Sequence, residues 1–480
     1  MAWVVLKTVA ILFLIVLGVI LIRAMQFKPK KVEQLKEDSI PLNHEKIIQD
    51  MVSMIQCKTV SNLEEELVDR EEFKKFEYLL KERFPNIHNK CQFQKIGKTG
   101  LLYLLKGKSS EKPSVCMAHY DVVPVEECTW TKPPFEGMID NDCIWGRGTL
   151  DTKGTLCGVM EALEYMLENG YIPQNDLYLS FSGEEEIIGT SCQEIVSYLE
   201  KKGVKPAIVL DEGGAVVNNV FPGVTKECAL IGIAEKGSAN IKFSMKSNGG
   251  HASTPPAHTI LGKLSKIVTD IENRPFHYQL TKPVAQMIDN LGRHSTFAYK
   301  IIFANLWCFN PLLDWFCKKS GGELNAMMRT TVAVTRMKGS KAYNVLPAKA
   351  SFGINMRLLG TDTIEFVVNY FNKFINNKKV SLEVLDSMNP SICSDTSCEE
   401  WEKLNLAIRQ TWTDAIVSPY LMVACSDSRY YCKITDRVYR FSAMRLSKEE
   451  RAMIHGNDER IPIPTLIKTV EFYVRFLRLL

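Results

Sequence analysis

Five short stretches of the chain place acidic or imidazole side chains where an apolar run stops. His119 follows the β-like run Pro113-Ser114-Val115-Cys116-Met117-Ala118, and Asp121 stands two residues beyond it. Loops at the C-terminal ends of such strands are where ligands bind. A nearby carboxylate can also hold the second ring nitrogen of a histidine and orient the imidazole. By itself this pair is equally the signature of a hydrogen-bonded surface histidine. Asp151 ends the glycine-rich stretch Trp145-Gly146-Arg147-Gly148-Thr149-Leu150, just before a helix. It can cap that helix, or use both carboxylate oxygens to bridge two cations. Glu184, Glu185 and Glu186 follow the apolar run 177–181. Three adjacent glutamates ordinarily form the acidic first turn of a helix. At the end of a buried strand, however, at least one faces the same crevice as His119, and two neighbours of opposite orientation can serve as ligand and base. Asp211 ends Ile208-Val209-Leu210, and His455 stands in Met453-Ile454-His455-Gly456-Asn457-Asp458. Two histidines with three carboxylates make a mixed nitrogen and oxygen set, which suits zinc better than calcium or magnesium.

These residues lie far apart, so a large fold must gather them. At 480 residues the chain exceeds the usual limit for one hydrophobic core, which predicts two domains. Hydrophobic content of 46% with 24% charged residues is that of a folded globular protein. A net charge of +4, with no basic stripe interleaved with aromatics, excludes nucleic-acid binding. Short apolar runs at 100–105, 113–118, 177–181 and 207–210 alternate with helical segments such as 154–168. That alternation predicts an α/β catalytic domain with a mostly parallel central sheet covered on both faces. Beyond residue 235 the pattern becomes strand, helix, strand, strand, helix, strand. This is the split βαβ order of a two-layer α+β, ferredoxin-like domain. The expected organisation is a catalytic domain over 40–235 and 391–480, with the smaller domain inserted over 236–390. Residues 287–321 are unusually aromatic, with Phe297, Tyr299, Phe303, Trp307, Phe309, Trp315 and Phe316. A helical hairpin packing on itself is the expectation, and a surface for lipid or an acyl chain the alternative.

Residues 8–22 read TVAILFLIVLGVILI, and Lys7 is the only charge between residue 1 and Arg23. This is long enough to cross a bilayer. Ala24 is the only small residue near its end, and bulky Ile22 two places earlier makes a poor cleavage site. The expectation is a signal anchor over residues 1–25, a single-pass membrane helix; the alternative is secretion after cleavage. Arg23, Lys28, Lys30 and Lys31 follow the span, and the positive-inside rule alone would leave the body in the cytosol. The 14 cysteines are scattered without C-x-x-C pairs and do not assign a compartment.

Taken together, the blocks at 130–154 and 178–189, the Gly249-Gly250-His251 turn and Tyr343-Asn344-Val345-Leu346-Pro347 resemble the aminoacylase and carboxypeptidase S family of dinuclear zinc peptidases. Within it they are most similar to the branch acting on N-fatty-acyl amino acids. The resemblance runs from about residue 45 onward. It implies two Zn2+ per chain, with His119 and Asp211 on one, Glu186 and His455 on the other, and Asp151 between them. It makes Glu185 the general base, Asp121 the residue orienting His119, and His251 the donor to the developing oxyanion. Arg357 and Asn344 are implied to bind substrate, Arg357 through a free carboxylate. Residues 426–429 resemble further substrate contacts. Glu184 and Gly183 depart from the family's aspartate and histidine, without touching ligand or base. The implied activity is hydrolysis, and reverse formation, of the amide bond of N-fatty-acyl amino acids. A carboxypeptidase or dipeptidase acting on small peptides is the alternative. A non-catalytic relative would have lost a ligand or the base, and here all six residues are present. The resemblance also implies a lumenal or extracellular body, a lid formed by the inserted domain, and a homodimer through that lid.

Overall fold

The computed structural model describes all 480 residues except 32–34, 36–37 and 376. Helix α1 (Ala2–Gln26) opens the chain. Strands β1 (Gln92–Ile96), β2 (Gly100–Leu105) and β3 (Ser109–His119) follow, then helix α2 (Lys153–Glu168). Strands β4 (Asn175–Ser182), β5 (Ile208–Val217) and β6 (Cys228–Glu235) complete the first passage through the large domain. Successive residues of these strands enter two different cores. Leu101, Tyr103, Cys116, Ala118 and Leu179 face one, while Leu102, Val115, Met117 and Tyr178 face the other. Burial on both faces is why the strands read as continuous apolar runs.

After Lys236 the pattern changes to strict alternation. β7 (Gly237–Lys246) buries Ala239, Ile241, Phe243 and Met245 and leaves Asn240, Lys242 and Ser244 half-exposed. Helices α3 (Ile260–Glu272), α4 (Lys282–Gly292), α5 (Phe297–Phe303) and α6 (Leu306–Ser320) come next. They are followed by β8 (Thr331–Lys338), β9 (Lys349–Leu358), α7 (Ile364–Ile375) and β10 (Val380–Met388). The four strands form an antiparallel sheet in the order β8-β9-β7-β10. Leu264 of α3 and Val367 and Phe371 of α7 close one core against it. The chain then rejoins the large sheet through β11 (Ile416–Met422) and β12 (Val438–Arg445) and continues into α8 (Ile463–Leu479).

The large sheet has eight strands in the order β1-β2-β4-β3-β5-β12-β6-β11. β4–β3, β3–β5, β5–β12 and β6–β11 pair in parallel, whereas β1–β2, β2–β4 and β5–β6 pair antiparallel. The sheet is therefore mixed rather than mostly parallel. A tight turn through Gly97 (φ +63°) joins β1 to β2, and a connection that short can make only an antiparallel pair. Apolar runs betray a strand but not its direction, so the sequence could not reveal this.

Candidate metal centre

Strand ends of the large sheet carry the acidic and imidazole residues to one crevice. His119 and Ser182 are paired partners at the ends of β3 and β4, so the turn after Ser182 begins level with His119. Asp121 reinforces the junction, its two carboxylate oxygens accepting the backbone N–H groups of Glu185 and Glu186 at 3.1 Å each. The same residue faces His119 Nδ1, through its carbonyl at 3.0 Å and its carboxylate at 3.3 Å. That leaves Nε2 pointing into the crevice, 2.9 Å from Asp151 Oδ1.

Asp151 divides its carboxylate between two imidazoles. Its other oxygen, Oδ2, lies 3.1 Å from His455 Nε2, and that nitrogen is 3.0 Å from Glu186 Oε2. Both loops that carry these groups are tied to Glu459, which is fully buried. Glu459 accepts from Gly148 N, Leu150 N and Arg147 Nη1, while Arg147 Nη2 donates to Gly456 O beside His455. His455 itself is held at φ +60°, a left-handed conformation uncommon for a residue with a side chain.

On β5 the outcome differs from expectation. Asp211 pairs with Arg440 of β12 and Gly214 with the next residue, Phe441, so Glu212 and Gly213 are extra residues in a bulge. The bulge sends Glu212 to His119, with Oε1 3.5 Å from Nε2. Asp211 turns away and accepts the backbone N–H of Ser428 at 3.1 Å. Glu212 thus takes the place expected for Asp211. The apolar run stops at Asp211, and only the glycine pair after Glu212 hinted that the strand was interrupted there.

Crowding of negative charge dominates the electrostatics. Burial, with Glu212 and Asp427 nearby, pushes the Glu185 carboxyl well above its ordinary range. Burial and the neighbouring Asp151 push Glu212 up to about 8. Burial also raises Glu186 and Asp211. Asp427, which accepts from Ser182 Oγ at 2.5 Å, is pushed up to about 7 by burial with Asp211 and Asp121. Hydrogen bonds to Asp151 and Glu186 raise His455 to about 10. Burial opposes charge on His119, yet Glu212, Asp121 and Asp151 outweigh it and raise the imidazole well above its usual value. Burial would raise Asp151 too, but the two histidines prevail and hold it low.

An arrangement with surplus carboxylates fits bound cations. Glu186 Oε1 is buried without a hydrogen-bond partner while Oε2 meets His455. His119, Asp151 and Glu186 offer donor atoms all within 4.8 Å of one another, and so do His119, Glu185 and Glu212. Imidazole nitrogens mixed with carboxylate oxygens are a donor set for zinc or a similar transition metal.

Three expected site residues stand outside this group. His251 and Asn344 are exposed on a two-stranded ladder, where His251 pairs with Val345 and the Asn344 carbonyl accepts the N–H of Ala252. Arg357, half-buried at the end of β9, donates to Cys425 Sγ at 3.6 Å, two residues from Asp427. The departures at 183 and 184 have physical reasons. A Cβ on Gly183 would lie 2.7 Å from Cζ of Tyr120, a buried ring stacked on Phe76. Glu184 accepts the N–H of Ser191 at the start of the following helix. Sequence reasoning missed Glu212 and the Arg147–Glu459 pair. Arg147 lay in full view between two glycines, but its partner is 312 residues away.

Residues 115–479 match the family model of Peptidase family M20/M25/M40. The chain is 33% identical over 482 residues to the probable carboxypeptidase S-like 2 of Dictyostelium discoideum, covering 98% of this chain and 92% of that protein. It is 32% identical over 452 residues to the N-fatty-acyl-amino acid synthase/hydrolase PM20D1 of Xenopus tropicalis, covering 93% and 88% respectively. Among solved structures, the M20 metallo-carboxypeptidase Sso-CP2 of Sulfolobus solfataricus aligns with a TM-score of 0.67 at 16% identity, covering 90% of this chain and 98% of that one. At that identity the likeness concerns the fold.

Proposed function

The chain belongs to peptidase family M20/M25/M40, and we propose that within it this member hydrolyses, and in reverse forms, the amide bond of N-fatty-acyl amino acids. One observation carries the proposal. His119, Asp151, Glu186, Glu212 and His455 converge with Glu185 on one crevice, in a chain alike over 93% of its length to a synthase/hydrolase of such amides.

His119, Asp151 and Glu212 would hold one zinc ion, and Asp151, Glu186 and His455 the other. Bound there, zinc would supply Lewis-acid chemistry toward the amide carbonyl and would bring a water's pKa toward neutrality. Glu185, left over from these two ligand sets, takes the proton from that water and delivers it to the leaving amine. Its backbone is fixed by Asp121, so its carboxylate starts from a set position. Arg357, beside the Cys425–Asp427 loop, binds the free carboxylate of the amino acid. His251 and Asn344 reach the crevice when the inserted domain closes as a lid, or from a second copy in a homodimer, and His251 then donates to the oxyanion. In reverse, a fatty acid and an amino acid join with release of water.

We read α1 as an uncleaved signal anchor, with the body on the lumenal or extracellular side. Its apolar side chains are exposed along the span, yet Ala24 and Phe27 just beyond it are buried against the body. These contacts support a helix that is retained.

Similarity to the carboxypeptidase S-like relative supports a second reading, release of an amino acid from small peptides. One comparison separates them. The zinc-loaded full chain is given an N-fatty-acyl amino acid and a dipeptide that share the same C-terminal residue. Faster release of fatty acid supports the proposal, and cleavage of the dipeptide alone rejects it.

A further inference from the structure

α1 does not leave the body as a free tether. The buried side chain of Asn305, between α5 and α6, donates to the carbonyl of Ile20 at 3.1 Å. Arg23 Nε donates to Ala304 O at 3.1 Å. Arg293 stacks over the Phe27 ring at 4.6 Å and donates to the Lys28 carbonyl at 3.2 Å. Ile20 lies inside the apolar span, so Asn305 and the start of α6 sit at the depth of its last turn. Whatever covers that turn of α1 also covers the neighbouring face of α6.

That face is apolar. Trp307, Pro311, Trp315 and Lys319 succeed one another every fourth residue along one stripe of α6, with Leu312 and Phe316 on the next. Trp307 and Trp315 are 57% exposed, Phe316 54% and Leu312 53%. The opposite side is fixed to the body, where Cys317 is buried with its thiol 3.9 Å from Met328 Sδ. Exposed aromatics in such number mark an interaction surface rather than ordinary exterior. Cationic groups rim it. Lys319 lies over the Trp315 ring at 5.3 Å and Lys318 beside it is exposed, while Lys28, Lys30 and Lys31 are exposed just after α1. Tryptophan with lysine is the composition of a segment lying in the headgroup layer of a membrane.

We propose that α6 lies in the surface of the same phospholipid bilayer that α1 spans, with Trp307, Leu312, Trp315 and Phe316 in the headgroup layer and the lysines on anionic headgroups. The inference rests on reading α1 as a retained membrane span. Together the two helices make a two-point attachment that fixes how the body faces the membrane. A substrate with a fatty acyl chain is itself dissolved in that layer, so the enzyme is held where its substrate concentrates.

The test uses the full chain carrying Trp3→Phe in nanodiscs of phosphatidylcholine and phosphatidylserine, made with and without brominated acyl chains. Trp307 and Trp315 are expected to be quenched by the brominated lipid, and Trp307→Phe with Trp315→Phe to lose most of that quenching. No quenching, or equal quenching in both proteins, overturns the proposal, including the case where a second copy or the substrate's acyl chain covers the face instead. Intact-mass measurement of chain recovered from cell membranes reports on α1 separately. If the span has been removed, the anchor reading fails, and flotation of the cleaved chain on vesicles of the same lipids decides the surface alone. Flotation lost in Trp307→Ser/Trp315→Ser supports the surface; flotation unchanged by the variant, or absent in the parent, overturns it.

Discussion

Arg147 Nη1 donates to Glu459 Oε2 at 2.6 Å across 312 residues of chain, and neither side chain is more than 3% exposed. The two residues hold different halves of the metal crevice. Through backbone bonds Glu459 fixes the segment ending in Asp151, and through Gly456 O Arg147 fixes the turn that presents His455. The separation of the two imidazoles from the shared carboxylate is therefore set by an ion pair that touches neither.

Removing that pair has two consequences. Glu459→Ala leaves a buried guanidinium uncompensated, a loss of roughly 3–5 kcal/mol in urea unfolding. Glu459→Gln, which keeps the shape, is expected to lose less stability yet bind zinc more weakly than the parent. Zinc affinity unchanged in Glu459→Gln would show that the pair supports the fold alone.

Glu212 and Asp211 make opposite predictions for metal content. Glu212→Gln is expected to lower bound zinc from about two to about one per chain, since a structural carboxylate ligand is lost. Asp211→Asn is expected to retain both. Mass spectrometry under native conditions reads the difference, and the reverse pattern would restore Asp211 as ligand.

Glu185→Gln keeps the size of the side chain and removes its basicity. Turnover is expected to fall by roughly 10²–10⁴-fold, the usual contribution of a positioned general base. Zinc content should stay as in the parent. Activity near the parent level would assign the proton transfer to another group.

Much of this centre was legible in the sequence because each residue ends an apolar run, and strand ends at one edge of a sheet meet in space. His119, Asp151, Glu186 and His455 were marked as candidates in that way, and their side chains lie at one crevice. That Glu212 rather than Asp211 faces His119 was hidden for a specific reason. Side chains alternate along a regular strand, but the bulge at Glu212 and Gly213 interrupts that alternation locally and turns Glu212 to His119, and no propensity at Asp211 announces the bulge. Sheet direction was hidden for a similar reason, since β1 and β2 look alike whichever way they run. The change to a half-exposed sheet was readable, because β7, unlike the buried strands before it, alternates in plain sight.

A pH dependence follows from Lys236, the single residue between β6 and β7. Its ammonium donates to the carbonyls of Ala326 and Arg329 at 2.7 and 2.9 Å, and burial, with Arg357 adding to it, pushes its pKa down to about 7. An unfolded lysine titrates near 10.4. Between roughly pH 7 and 10 the unfolded chain therefore binds more protons than the folded one, and stability rises with pH across that window. Lys236→Met removes the titrating group, so its melting temperature should rise less than the parent's over the same interval. Parallel curves for the two proteins would mean that Lys236 keeps its proton in the fold throughout that interval.

The order in which the crevice residues occur has a consequence for biosynthesis. A ribosome makes His119, Asp151, Glu185, Glu186 and Glu212 before it begins β7, but makes His455 only after β10 and β12 are finished. Until then Asp151 has one imidazole beside it rather than two, and the nascent polypeptide lacks part of the donor set that the crevice brings together. The donor set of the crevice is therefore complete only after the strands and helices between β6 and β11 have been made.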